Sequence, residues 1–492
     1  MKAARKFVGR QQELRQLQAF VDAAGPGFLH VRGRRRVGKS WLLLELLRRR
    51  EGLYFHGEQD SSTKQLQQTM AALWDEYTGR KSLSLVRQRD LTWELLFESI
   101  TDFARQRPDR VVLLVFDEIH WIAKRNSGFV SKIKKAWLSW EKVGNIKLVV
   151  CGSSSRFFDD KVSRASSVLR GLRTSADLWV RPFSLREVKQ YFFGGWSPEE
   201  ICLIYMMTGG VPYYLHQVPR IGNFINAVNQ AFFTRSTIFL DELDELITLE
   251  FNKTTKGRIR QILAALSQQG RTVARIQHAT GIPESSVRET IAKLVDYGLV
   301  FEKLPMGGSG RKNKSRTRYY MRDFYLNFYF SVLSKHETKI AQNSRANLFA
   351  RLLASKSGYY IPEFTGDAFE LLVESVIDCR ASSSQREKLF EKLGISEAGY
   401  RWGHHWQWGE TQIDLIVESS ADRESRVLEA KWLSTTASVT HGYIEQLEEK
   451  AYHPPRGYRI SFFLVLSKSP SKGLRNAAAK RDVSLIDLDD LF

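Results

Sequence analysis

Cysteine is scarce in this 492-residue chain: Cys151, Cys202 and Cys379 stand far apart and form neither a disulfide framework nor a zinc-ligand cluster. Long apolar runs are missing too. Nothing approaches the roughly 20 consecutive residues that a membrane-spanning helix needs, and the basic start Met1-Lys2-Ala3-Ala4-Arg5-Lys6 is not followed by a signal-peptide core. These absences point to a reduced, cytoplasmic protein without membrane attachment. Acidic residues are in deficit: 54 Asp and Glu against 74 Lys and Arg leave a net charge of +20. Such a surplus favours a polyanionic partner, either nucleic acid or an anionic surface. The hydrophobic fraction of 43% is ample for packed cores and excludes a disordered chain. The length suggests about three domains.

What is present begins with Gly33-Arg34-Arg35-Arg36-Val37-Gly38-Lys39-Ser40, which fits the phosphate-binding pattern G-x-x-x-x-G-K-S/T at every fixed position. Phe28 to Val31 reads as the strand entering the loop and Trp41 to Leu47 as the helix leaving it. Glycines at 33 and 38 let the backbone curl so that N–H groups, Val37 among them, face phosphate oxygens beside the positive end of that helix. Lys39 then reaches the β- and γ-phosphates of ATP, and the Ser40 hydroxyl ligates Mg²⁺. A second signal, Val111 to Glu118, is a continuous apolar run ending in two acids. It reads as a buried parallel strand with Asp117 placed to hold Mg²⁺ and Glu118 to act as general base. Leu53 to Phe55 reads as another strand, and residues 64–104 as helical. Lys147 to Ser154 is a further buried strand ending in small polar residues, with Ser153 placed to sense the γ-phosphate. Ordinary turn chemistry accounts for the same serine.

The order Phe7-Val8-Gly9-Arg10, GRRRVGKS, FDE, CGSS, LRGLRT, RPFS resembles the archaeal-type P-loop ATPase family within the AAA+/STAND group. The resemblance covers about the first half of the chain. It implies that Val8 and Gly9 lie by the adenine and ribose, and that Arg173 is a γ-phosphate or inter-subunit arginine, although Leu172 replaces the first of two adjacent arginines. It also places Gly209-Gly210-Val211-Pro212 in a helical lid and allows a homo-oligomer through the ATPase domain. Residue by residue, that stretch reads only as a helix stop and restart.

Residues 258–294 read as three helices, the last two separated by Gly281-Ile282-Pro283. With strands at 299–303 and 318–321 they make a winged helix. Ser285, Ser286 and Arg288 lead the third helix and are the expected groove-facing residues. The wing loop carries Arg311, Lys312, Lys314 and Arg316, a cluster suited to phosphate contacts. A packed lid or a solvated basic hairpin explains the same pattern without DNA.

Residues 322–355 read as a helical connection whose aromatic stripe suits a core. Beyond it, Gly366 to Glu374 opens an amphipathic helix, and strands follow at 412–417, 427–432 and 461–467. A helix spans 441–452, with Gln446 and Lys450 facing the same region. Glu429 and Lys431, two apart on a strand, share a face in an otherwise apolar segment, and Asp414 raises the same question on the adjacent hairpin strand. Two carboxylates and a lysine at a sheet edge suit a Mg²⁺ site with an ammonium beside it; a structural salt bridge is the alternative. The pattern resembles PD-(D/E)xK nucleases and the C-terminal domain of unknown function DUF234, which implies that Glu370 is the preceding helix's acid. The leading proline is absent at Gln412-Ile413-Asp414.

The expected fold is therefore α/β: a P-loop NTPase parallel sheet (1–185) with a helical lid (186–250), a winged-helix domain (251–322), a helical connector (323–355) and a C-terminal α/β restriction-endonuclease-like domain (356–492). The expected function is an ATP-binding and ATP-hydrolysing protein acting on DNA, with a Mg²⁺-dependent nuclease gated by nucleotide. The alternative is an ATP-dependent switch whose nuclease-like domain only binds DNA or a partner.

Overall fold

The computed structural model describes residues 7–125, 128–152, 174–220, 222–251, 255–267, 271–306, 317–342, 347–353, 359–378, 383–395, 399–406, 412–434, 442–448 and 452–492. The chain divides into two compact units, Met1–Arg181 and Pro182–Phe492. In the first, strands β1 (Gly27–Arg32), β2 (Leu53–His56), β3 (Val112–Asp117), β4 (Ile146–Gly152) and β5 (Thr174–Trp179) form a sheet in the order β2-β3-β4-β1-β5. All its pairings are parallel.

The apolar runs form this sheet because both of its faces are covered. Along β3, Leu114 and Phe116 pack with Phe28, Trp93, Phe129 and Trp140 on one face. Leu113 and Val115 join Leu17, Val31, Leu42 and Leu46 on the other. The two-residue alternation of a strand thus feeds two cores. The stretch expected as helical over 64–104 is two helices, Thr63–Thr78 and Trp93–Arg105. The break is held by the Asp75 carboxylate, which accepts from the N–H groups of Leu83 and Ser84 at 3.1 and 2.8 Å. Thr92 restarts the helix by capping Leu95. Strand β5 carries no apolar run and escapes sequence reading; its pairing with β1 makes it a strand.

The second unit begins with helices Leu185–Tyr191, Pro198–Thr208, Pro212–Leu215, Phe224–Phe232 and Glu242–Glu250. Three helices follow, Lys256–Leu266, Val273–Thr280 and Glu284–Asp296, with the antiparallel ribbon β6 (Val300–Lys303) and β7 (Arg318–Met321). This is the expected winged helix. The aromatic stripe that follows is core: Tyr325, Phe328 and Tyr329 are fully buried. The helix Thr365–Ile377 then leads to a mixed sheet of β8 (Tyr400–Trp406), β9 (Gln412–Ser419), β10 (Glu424–Lys431), β11 (Arg459–Leu466) and β12 (Val483–Ile486), ordered β12-β11-β10-β9-β8. Its first three strands pair antiparallel and its last three parallel. Strand β8 was not legible in the sequence, and of the helix expected over 441–452 the described residues Gly442–Glu448 are helical.

Among the described residues no helix is long and apolar enough to cross a membrane. The stop and restart at Gly209-Gly210-Val211-Pro212 is tightly determined. Gly210 has φ 67° and its carbonyl accepts from the Phe183 N–H at 2.8 Å, so a Cβ there would lie 2.1 Å from the Phe183 oxygen. Gly210→Ala is expected to lower stability by at least about 1–3 kcal/mol through backbone strain alone; urea unfolding measures it, and an unchanged midpoint would contradict the packing described.

Candidate functional site

Strand β1 ends at Arg32, and the helix Lys39–Arg49 starts seven residues later. At Gly33, φ is 155° and an added Cβ would meet the Val180 carbonyl oxygen at 2.2 Å, so the loop tolerates only glycine there. Lys39 is buried, and its ammonium donates to the carbonyls of Gly33 and Arg34, each at 3.0 Å. The Arg10 guanidinium donates to the Val37 carbonyl at 3.1 Å and ties the segment containing Val8 and Gly9 to the loop.

Asp117 closes β3 with no exposure and accepts from the Tyr54 hydroxyl at 2.6 Å. Its carboxylate also faces His56 Nδ1 at 3.5 Å and bonds the Ser40 side chain. Burial raises the Asp117 pKa, but bonds from His56, Ser40 and Tyr54 outweigh it and hold the acid well below its ordinary value. Ser40 and Asp117, from sequence segments far apart, therefore meet as two hard oxygen donors, which fits Mg²⁺. Glu118 follows in the left-handed region, φ 49°, with its N–H on Asp117 Oδ1 at 3.0 Å and its own carboxylate 3.2 Å from His120 Nδ1. Sequence reading did not single out Tyr54, His56 or His120. Tyr54 and His56 stand two apart at the end of β2, a polar alternation that could have drawn attention to them. Ser153 and Arg173 lie outside the described residues.

At the other candidate site, the β9–β10 hairpin brings Asp414, Glu429 and Lys431 together. The Lys431 ammonium lies 2.6 Å from Glu429 Oε1 and 3.7 Å from Asp414 Oδ2, and Asp414 Oδ2 also accepts from the Ala430 N–H at 3.0 Å. Burial lowers the Lys431 pKa, but Asp414 and Glu429 more than offset this and keep it charged. Glu370, on the helix Thr365–Ile377, lines the same cavity of about 390 Å³ as Asp414. Burial, together with the nearby Asp414 and Asp367 carboxylates, pushes the Glu370 pKa well up. Among the described residues no three His, Cys, Asp or Glu side chains are grouped to hold a metal. A cation does already sit between two carboxylates here, in the form of Lys431, and the donors are of the hard oxygen type Mg²⁺ prefers. Asp414 and Glu429 thus fit the ion. Beside them Lys303 of β6 reaches Glu374 at 2.7 Å, and His404 Nε2 faces the same carboxylate at 3.3 Å. Neither Lys303 nor His404 stood out in the sequence.

Ser285 and Arg288 are exposed on the helix Glu284–Asp296 and Ser286 is half-buried. The Arg288 guanidinium is shared with Glu284, one turn back, at 2.5 Å. Arg311, Lys312, Lys314 and Arg316 lie outside the described residues, as do Lys450 and the side chain of Gln446.

Residues 7–218 match the family profile described as an ATPase domain predominantly from Archaea. This part of the chain is similar to archaeal-type ATPase domains. Residues 257–302 match the IclR helix-turn-helix domain. An uncharacterized protein of Methanocaldococcus jannaschii is 24% identical over 427 residues, 87% of each chain. Among solved structures, a Walker-type ATPase of Pyrococcus abyssi is similar, with a TM-score of 0.51 and 19% identity over 66% of this chain and 96% of its own. That likeness concerns fold alone. Cdc6p from Pyrobaculum aerophilum, 13% identical over 68% of this chain and 96% of its own, has a TM-score of 0.33, too low to carry an argument.

The raised Glu370 pKa has a signed consequence. Below the ordinary glutamate value of 4.5 the side chain is protonated whether folded or unfolded. As pH rises, the unfolded chain ionises first, so stability falls until the folded pKa is passed. Glu370→Gln removes this penalty: its gain in Tm over the parent is expected to be absent near pH 4 and to reach about 2–4 °C at pH 8. A gain independent of pH in thermal melts would contradict the assignment.

Proposed function

We propose that this chain is an ATP-hydrolysing, DNA-acting protein whose C-terminal sheet carries a Mg²⁺-dependent site for phosphodiester cleavage, controlled by the nucleotide state of the ATPase domain. The observation that carries this reading is the convergence of Asp414, Glu429 and Lys431 on one hairpin, with Glu370 lining the same cavity as Asp414. When bound, Mg²⁺ supplies an activated water and neutralises phosphoryl charge. Asp414 and Glu429 would hold the ion, Lys431 would balance charge on the phosphate, and Glu370, whose pKa is raised by burial and the neighbouring carboxylates, is placed to give a proton.

In the ATPase domain, Lys39 exchanges the carbonyls of Gly33 and Arg34 for the β- and γ-phosphates, alongside the N–H groups of Gly33, Val37 and Gly38. Ser40 and Asp117 hold the ion there, with Tyr54 and His56 keeping Asp117 ionised. Glu118 takes a proton from the attacking water, and His120 orients Glu118. Val8 and Gly9 would border the base, and the order of sequence motifs supports Ser153 and Arg173 as contacts to the γ-phosphate. Ser285, Ser286 and Arg288, with the basic wing loop, supply contacts to DNA; the surplus of 20 positive charges supports that partner. A homo-oligomer formed through the ATPase domain and a cytoplasmic location belong to the same proposal.

A second reading, in which the C-terminal site only binds DNA or a partner, is favoured by the Lys431 ammonium standing between Glu429 and Asp414. Incubating the protein with Mg²⁺ and either supercoiled plasmid or a single-stranded oligonucleotide, with and without ATP, separates the two. Cutting that disappears in Asp414→Ala and Lys431→Ala supports cleavage, and a protein that cuts neither substrate sinks it. Lys39→Ala is expected to reduce ATP turnover by about 100-fold or more. If that variant still cuts as the parent does with ATP present, the proposed control is wrong.

A further inference from the structure

The winged helix is joined to the C-terminal sheet by a continuous seam. Beyond β6, Pro305 bridges to His404 on the edge strand β8, and the Met306 N–H donates to the His404 carbonyl at 2.7 Å. The His405 ring meets the Met306 carbonyl at 2.9 Å. Further along, the Lys303–Glu374 pair is largely buried on both sides, 11% and 3% exposed, which makes it costly to separate. Arg322 adds a contact to Asp378 at 3.1 Å. This seam brings the β6–β7 ribbon against the acids of the helix Thr365–Ile377, and the cavity of about 390 Å³ is lined from both sources.

The lining has two chemical characters. The C-terminal part contributes Asp367, Glu370, Asp414 and Glu374, the last paired with Lys303. The winged helix contributes Arg275, Arg318 and Lys303, together with the rings of Phe301 and Tyr320. Those rings are roughly parallel, with centroids 5.7 Å apart and planes inclined by 29°. The Lys303 ammonium lies over both, at 4.6 and 4.4 Å. Aromatic faces interleaved with cations are what holds a single nucleic-acid strand, with bases on rings and phosphates on charges. Size points the same way. The volume falls within the roughly 300–1,000 Å³ of small-ligand pockets, whereas a duplex, whose major groove alone is about 12 Å wide, does not fit.

We propose that this cavity takes one unpaired nucleotide of a DNA strand, its base against Phe301 and Tyr320 and its phosphate between the arginines and the acids. The winged helix then supplies the substrate wall of the C-terminal site. This assignment rests on the phosphodiester reading of that site and adds a substrate class: single-stranded or frayed DNA. Lys303, fixed by Glu374, is a positioning residue that holds the aromatic ribbon in place over the acids. Arg318 and Arg275 meet the phosphate.

Fluorescence anisotropy with the full chain in Ca²⁺ tests the proposal, using labelled oligothymidylate, its blunt duplex with oligoadenylate, and free thymidine monophosphate as competitor. The strand is expected to bind more tightly than the duplex, and Tyr320→Ala and Arg318→Gln are each expected to weaken strand binding by about tenfold. Arg318→Gln guards against misfolding, since it alters no core side chain, and unchanged melting is the check for both variants. Equal affinity for strand and duplex, strand affinity unchanged in both variants, or competition by the monophosphate at the strand's own affinity would each overturn it. Cutting in Mg²⁺ is scored separately. A strand that binds as expected but is never cut removes the cleavage reading and leaves the cavity assignment. A strand that is cut while Tyr320→Ala and Arg318→Gln bind it normally does the reverse.

Discussion

A carboxylate placed at the buried end of a strand needs partners that keep its charge, and both halves of this chain are organised by that requirement. Asp117 has no exposure, yet its pKa is held low because Tyr54, His56 and Ser40 all direct polar atoms at it. Tyr54 and His56 come from β2 and Ser40 from the loop helix, so the sheet order and that helix must be in place before the acid is satisfied. In the C-terminal sheet the solution differs. Asp414 and Glu429 share the Lys431 ammonium, while Glu370, buried beside the Asp414 and Asp367 carboxylates, responds with a raised pKa. At the first site hydrogen bonds stabilise the ionised acid, and at the second Glu370 favours its protonated form.

The backbone enforces these arrangements at a few points. Gly33 passes beneath the Val180 carbonyl with no space for a side chain, which sets where the loop leaves β1 and therefore where Lys39 and Ser40 stand. In the second unit, Gly210 does the same against Phe183. The seam from Lys303 to Met306 then joins the winged helix to β8 by backbone pairing and one buried ion pair. A module whose usual reading is duplex recognition thereby also becomes part of the lining of an acidic cavity.

Much of this was legible because the signals are local. The phosphate-loop pattern, the apolar run ending in Asp117 and Glu118, and the two-residue spacing of Glu429 and Lys431 depend on neighbours in sequence, and strand alternation alone places the last two on one face. The three helices and ribbon of the winged helix are legible for the same reason. The long helical stretch over 64–104 was misread because Asp75 captures the N–H groups of Leu83 and Ser84 across a break that periodicity does not register. Strands β5 and β8 were missed because they lie at sheet edges, where composition is mixed and pairing alone defines the strand.

By itself the sequence determined the α/β class, the phosphate loop, the winged helix and the pairing of Glu429 with Lys431, since each is written in short-range spacing and hydrophobic period. Only the tertiary structure decided that Tyr54 and His56 serve Asp117, that Lys303 meets Glu374 and His404, and that Phe301 and Tyr320 line a cavity shared with Glu370 and Asp414. Those contacts join residues tens to about a hundred positions apart, and their energy comes from burying charge and ring faces together. No local pattern encodes that, because the partner of a buried charge is chosen by the packing of the whole unit.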